Sequence, residues 1–193
     1  MTTVVEQFTT KIPYWNPYIV PVDLATASQE QKEALKITPS NMKVSEYVLV
    51  LAHDPETLAV RSPLFNEVMY GKDGLGRAER ELAALGASIY NGCVYCTAVH
   101  SSRYISLSKR PEVVDEIFAS GIDAELDENA SALFDLSVKL SKAPPEIPEG
   151  SIGDLRAMGY SDLEIFDLIL SAAMFGWANR LMHSLGEPLM SKP

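Results

Sequence analysis

One segment limits what this chain can build more than any other: "SDLEIFDLILSAAMFGWANRLMHSLG", residues 161–186. At helical spacing its apolar residues cover most of the circumference, so the helix needs burial at a domain centre or between subunits. Charged residues interrupt it too often to match a membrane helix of roughly 20 apolar residues. Ser161 followed three residues later by Glu164 has the form of a capping box and marks where the helix starts. The rest of the chain holds few alternating segments. Its Asn91-Gly92 pair, which would be a hairpin signal between strands, lies between two helical patterns instead. The expected fold class is all-α, a helical bundle.

The other helices follow from caps and breakers. "TASQEQKEALK" (26–36) starts at Thr26 or Ser28, "SNMKVSEYVLVLAHD" (40–54) forms a second helix, and "DPETLAVRSPLFNEVMYG" (54–71) a third. The third has Asp54 as cap and Pro55 in its first turn, and Pro63 is expected to kink or divide it. In "GRAERELAALGASIYNG" (76–92), Leu82, Leu85 and Ile89 make an apolar stripe, and Asn91-Gly92 ends the helix. A helix from residue 93 runs toward Pro111, and shorter helical patterns fill 111–121, 127–144 and 147–161. Residues 1–25 carry Pro13, Trp15, Pro17, Tyr18 and Pro21 without helical periodicity. They are expected to form an extended arm on a single domain spanning 1–193.

Composition narrows the function. A net charge of −10 argues against nucleic acid, because phosphate neutralisation needs a basic patch. It also disfavours anionic membranes. The N-terminus lacks a basic region followed by an apolar stretch, so a cytoplasmic location is expected. In a reducing compartment a close cysteine pair is more often catalytic or metal-binding than a structural staple.

The only two cysteines lie in "YNGCVYCTAVHSSR", residues 90–103. On a helix, Cys93, Cys96 and His100 fall within one narrow arc, since residues three and four apart are neighbours. The spacing is compatible with reversible bridging of the two thiols. A free thiol is only a few per cent ionised at neutral pH, so chemistry needs help. Gly92 breaks the chain ahead of Cys93, which places both thiols near the positive end of the helix dipole. His100 can take the proton of Cys96, and a carboxylate on its far nitrogen would orient the ring. Glu79 and Glu81 are candidates for that carboxylate; Glu81 is preferred because it shares a face with Leu85 and Ser88. Dipole reasoning alone would make Cys93 the more acidic thiol, whereas the His100 spacing favours Cys96.

The arrangement Glu81, eleven residues, Cys93-x-x-Cys96, three residues, His100 resembles the active-site signature of the AhpD-like (alkylhydroperoxidase D, carboxymuconolactone decarboxylase) superfamily. "GRAERELAALGASIYNGCVYCTAVH" and the closing "FGWANRLMHSLGEPL" are similar to its peroxidase-related branch. The resemblance implies an AhpD-like all-α bundle that forms homo-oligomers (dimer, trimer or hexamer) with the site near a subunit interface. It implies reduction of a small-molecule hydroperoxide: Cys96 attacks, Cys93 resolves the sulfenic acid to a disulfide, and His100 with Glu81 relays protons. An external dithiol or disulfide reductase resets the pair. No cofactor and no metal is expected. Where familiar members carry a second histidine before the second cysteine, this chain has Tyr95.

Other readings compete. The cysteines can be inert core residues. Cys93, Cys96 and His100 supply three zinc ligands, but a structural site wants four, and His53 and His183 are distant in sequence. The superfamily also includes lyases acting on a cyclic lactone acid, which lack the paired cysteines, and a non-enzymatic redox sensor would use the same thiols. His183 reads as a cation near a helix C-terminus. Asn179 and Arg180 interrupt an apolar face and are expected to bond or pair across an interface, near the thiols. Tyr104, one turn beyond His100, reads as packing.

Overall fold

Helices in this chain begin at side chains that can cap them and end at residues that cannot continue them. The computed structural model describes residues 3–37 and 44–192. Its elements run β1 (Tyr14–Pro17), α1 (Gln29–Ala34), α2 (Glu46–Leu51), α3 (Pro55–Tyr70), α4 (Arg77–Tyr90), α5 (Val94–Ser108), α6 (Pro111–Ser120), α7 (Glu128–Ser141), α8 (Ser151–Ala157), α9 (Asp162–Leu185) and β2 (Gly186–Leu189). The class is all-α. Ser28 and Ser161 form full capping boxes with Gln31 and Glu164, and Ser45, Asp54 and Asp127 accept from the third backbone N–H of their helices. Gly92 and Gly121 adopt positive φ of 66° and 65° just after α4 and α6.

Two expectations need correction. The helix placed at 40–54 is the shorter α2, which starts after its Ser45 cap and stops before Asp54 caps α3; residues 40–43 lie outside those described. Pro63 does not divide α3, which runs on through it. The carbonyl that loses its donor belongs to Ala59, and both Ala59 and Pro63 are exposed, so water can serve it.

The centre of the molecule is α4 rather than α9. Every residue from Arg80 to Ile89 is buried, and α4 packs against α5, α7 and α9. The run Ala83-Ala84-Leu85-Gly86-Ala87-Ser88 explains this, because small side chains let neighbouring helices approach. A Cβ on Gly86 would sit 3.0 Å from Ser137 Cβ and 3.1 Å from the Phe134 carbonyl on α7. By length and composition α9 does reach the range of a membrane-crossing helix, contrary to the sequence expectation, but half of its most apolar stretch is buried in the protein.

A buried arginine ties these helices together. Arg80 donates to the carbonyls of Leu75, Glu67, Val68 and Asp73 and to Asp167 Oδ2 on α9, at 2.6–3.1 Å, so each of its five N–H donors has an acceptor. The residues before α1 run extended, with β1 pairing antiparallel to β2 in the register Tyr14 with Leu189 to Pro17 with Gly186. Trp15 is buried and donates its indole N–H to the Met182 carbonyl at 3.3 Å. This pairing closes the end of the molecule that holds the thiols.

Candidate active site

The turn between α4 and α5 decides where the thiols lie. Gly92 reverses the chain, and the Cys93 N–H returns to the Ser88 carbonyl at 2.9 Å, so α5 starts against the end of α4. Cys93 occupies the N-cap position and Cys96 the third helical position; both thiols are free and buried. They belong to an apolar cluster with Trp15, Tyr47, Val48, Leu58 and Met182.

One turn further along α5, His100 is buried with its ring edge-on to Phe175 at 4.0 Å. Its Nδ1 hydrogen-bonds Glu81 Oε2 on α4. Glu81 has no exposed surface, and its other oxygen accepts from Arg77 Nη2, with Arg103 Nη1 at 3.9 Å. The antiparallel helices therefore bring Glu81 to His100. Sequence reasoning missed Arg77 and Arg103, although their positions four before Glu81 and three after His100 are helical-neighbour spacings.

Burial works to raise the Glu81 carboxyl, but His100, Arg77 and Arg103 outweigh it and hold the pKa below the usual carboxylate range. Burial is also the first influence on His100 and depresses its pKa; the two arginines add to this and Glu81 opposes it. At neutral pH the pair is an ionised carboxylate and a neutral imidazole. With Nδ1–H donated to Glu81, the other ring nitrogen is free to act as a base.

Cys93 is pulled below the ordinary thiol range, first by the Cys96 thiol and then by the backbone N–H groups of Cys96 and Tyr95 and by Asn179, against the opposing effect of burial. Cys96 is pushed well up, first by its neighbour Cys93 and then by burial. Free N–H groups at the start of a helix face the N-cap side chain, so Cys93 is the more readily ionised of the two thiols. The dipole argument anticipated this order. No hydrogen bond joins Cys96 to His100 among the described residues.

A second polar cluster links α9 to the same turn. Asn179 is fully buried and donates to Ser88 Oγ at 3.2 Å, while accepting from Asn91 Nδ2 at 3.1 Å. Its amide also lowers both thiols. His183 donates to the Asn91 carbonyl at 3.1 Å rather than serving its own helix end. Arg180 is exposed and bonds the Gly176 carbonyl of its own helix, away from this cluster. His53 bonds the Val20 carbonyl at 2.8 Å. Tyr95 is largely buried with its phenol pKa raised, first by burial, so it stays protonated and cannot replace a basic histidine. Tyr104 is buried in the core on the α6–α7 side. Among the described residues, no group of three His, Cys, Asp or Glu side chains is arranged to hold a metal ion.

Residues 55–138, which contain all four motif residues, match the model of the carboxymuconolactone decarboxylase family. A peroxidase-related protein from Ralstonia eutropha JMP134, described as an alkylhydroperoxidase AhpD core, superposes with a TM-score of 0.73 at 27% identity over 90% of each chain. A second peroxidase-related protein, from Silicibacter sp. TM1040, gives 0.70 at 25% identity over 88% of this chain and 91% of its own. Over residues 55–138 and in its fold the chain resembles the AhpD-like carboxymuconolactone decarboxylase superfamily. The debrominase Bmp8 shares the AhpD-like fold, with a TM-score of 0.71 at 17% identity over 88% of this chain and 90% of its own. No curated protein matches the sequence. In this AhpD-like fold the thiol pair and the Asn179 cluster sit at the α4–α5 turn, and the Glu81–His100 pair lies one helical turn beyond Cys96.

Proposed function

We propose that this protein is a thiol-dependent peroxidase that reduces hydroperoxides through a Cys93–Cys96 dithiol/disulfide cycle. The observation that carries the reading is the pairing of a buried, electrostatically biased dithiol with a buried Glu81–His100 pair one turn away. Cys96 attacks and Cys93 resolves. Of the pair, Cys93 is the first to ionise, to a thiolate, while Cys96 stays a thiol. Cys93 takes the Cys96 proton, and Cys96 Sγ attacks the peroxide oxygen. The O–O bond breaks, and the alkoxide leaves as alcohol with the proton from Cys93. Cys96 is then a sulfenic acid and Cys93 again a thiolate. Cys93 attacks the Cys96 sulfur, the S–O bond breaks, and the hydroxide leaves as water with a proton relayed through His100. An external dithiol supplies the two electrons that reopen the disulfide.

Lyase chemistry has no use for this dithiol, so dependence on thiols separates the two classes. The deciding measurement is the intact mass of the reduced protein before and after one equivalent of hydroperoxide. Loss of two hydrogens, restored by a dithiol, is the expected result. An unchanged mass with both thiols still alkylatable would end the peroxidase reading for that hydroperoxide.

A further inference from the structure

A second buried cation lies near the thiols without a counter-charge among the described residues. Arg61, on α3, is 8% exposed, and its Nε and Nη1 are buried without a hydrogen-bond partner. No carboxylate lies within ion-pair distance of it among the described residues; the nearest compensation is the Phe65 ring, 4.4 Å from the guanidinium carbon. A buried charge without a partner is costly, and a buried guanidinium is built to take a carboxylate in two parallel hydrogen bonds.

Arg61 borders a groove of about 290 Å³ between α2, α3 and α9. Its walls are apolar, with Val50, Leu58, Trp177, Leu181 and Leu185 among them. Asp54 lies at the rim, but its carboxylate is already engaged by the Thr57 backbone N–H and hydroxyl. Leu58 belongs to the same apolar cluster as Cys93 and Cys96. Tyr47, whose buried hydroxyl also lacks a partner, feels the charges of Arg61 and of both thiols. A single cation beside an apolar slot selects an amphipathic anion. At ~30 Å³ per water-sized group the slot takes roughly ten heavy atoms.

We propose that Arg61 binds the carboxylate of an apolar acid whose body fills this groove. This statement about binding does not rest on the dithiol reading.

The test compares octanoate with 1-octanol by isothermal titration on the reduced full-length protein. Octanoate is expected to bind at least tenfold more tightly, and Arg61→Met to abolish that preference. Leu181→Trp, which narrows an outer wall, is expected to weaken octanoate binding tenfold or more and serves if Arg61→Met does not fold. Equal binding of acid and alcohol, or no binding of either, overturns the proposal. So does a change of oligomeric mass in Arg61→Met when wild type ignores octanoate, which would make a second copy of the chain the occupant. Octanoate binding in the Cys93→Ser/Cys96→Ser double variant separates the groove from the dithiol cycle. Selective binding there supports the acid groove even if wild type reduces no hydroperoxide. A working peroxidase that binds octanoate and 1-octanol alike overturns the groove and leaves the dithiol cycle standing.

Discussion

A glutamate with no exposed surface keeps its charge only where other groups make up for lost water, and Glu81 is surrounded by three that do. This gives the pair a definite pH response. Both pKa values are lower in the folded protein than in the unfolded chain. As pH falls below about 6.5, the unfolded chain protonates His100 before the folded one does, so stability declines. Further down, the Glu81 contribution is lost as pH falls through its depressed folded value. Urea midpoints at pH 7.5, 6.0 and 5.0 should therefore decrease, with the step from 7.5 to 6.0 smaller in His100→Gln; an unchanged step would mean His100 is not buried as neutral imidazole. If His100 relays the proton, His100→Gln should also lower peroxide turnover about 100-fold, the usual size of a positioned acid–base group. For the thiols, dimedone should label Cys96 in Cys93→Ser, and label on Cys93 in Cys96→Ser but none on Cys96 in Cys93→Ser would reverse the assigned roles. The Glu81–His100 contact and the place of both thiols at the start of α5 were legible from residue spacing and the Gly92 break. The cluster of Asn179, Ser88 and Asn91 was not, because residues about 90 apart meet only through the packing of α9 on α4.

At the scale of elements, the sequence pointed to α9 as a helix buried at the domain centre or between subunits, because apolar residues mark burial most loudly. The structure puts α4 there, since close approach depends on small residues, and a run of Ala, Gly and Ser carries little hydrophobic signal. The strand pair β1–β2 was equally hidden. Four-residue strands flanked by proline give no alternation to read, and their partners are more than 160 residues apart. Helix ends were clearer, because a cap is a local event. Two substitutions test what holds α4 in place. Gly86→Val should destabilise the protein by about 1–3 kcal/mol through overpacking against Phe134 and Ser137 on α7. Asp167→Asn leaves the Arg80 charge buried without its counter-charge and should cost about 3–5 kcal/mol. Urea unfolding reads both as lower midpoints at an unchanged slope. A neutral Asp167→Asn would mean that the four carbonyls around Arg80 suffice to hold it.

Over the whole molecule, the surface of α9 explains why its sequence is more apolar than one protein core requires. Leu163, Phe166, Leu170, Met174 and Trp177 follow one another three or four residues apart, and Leu163, Phe166 and Trp177 are 40–56% exposed. On α3, which packs against α9, Val60 and Leu64 add exposures of 71% and 55%. Scattered apolar residues are ordinary on a protein surface, but a stripe along a 24-residue helix with a neighbouring helix beside it is a continuous face. We propose that a second copy of the chain covers the part of α9 from Leu163 to Met174, away from the Arg61 groove, in a homo-oligomer. A stable interface of this kind buries roughly 1,600 Å² in total. Light scattering on the reduced protein at tens of micromolar should then give a multiple of 21.2 kDa. The Leu163→Glu/Phe166→Glu double variant should fall to a single chain, because carboxylates facing each other without partners are expelled from an apolar interface. A monomeric wild type would sink the idea. A double variant that keeps the wild-type mass would move the interface to another face, leaving the apolar stripe on α9 without an explanation.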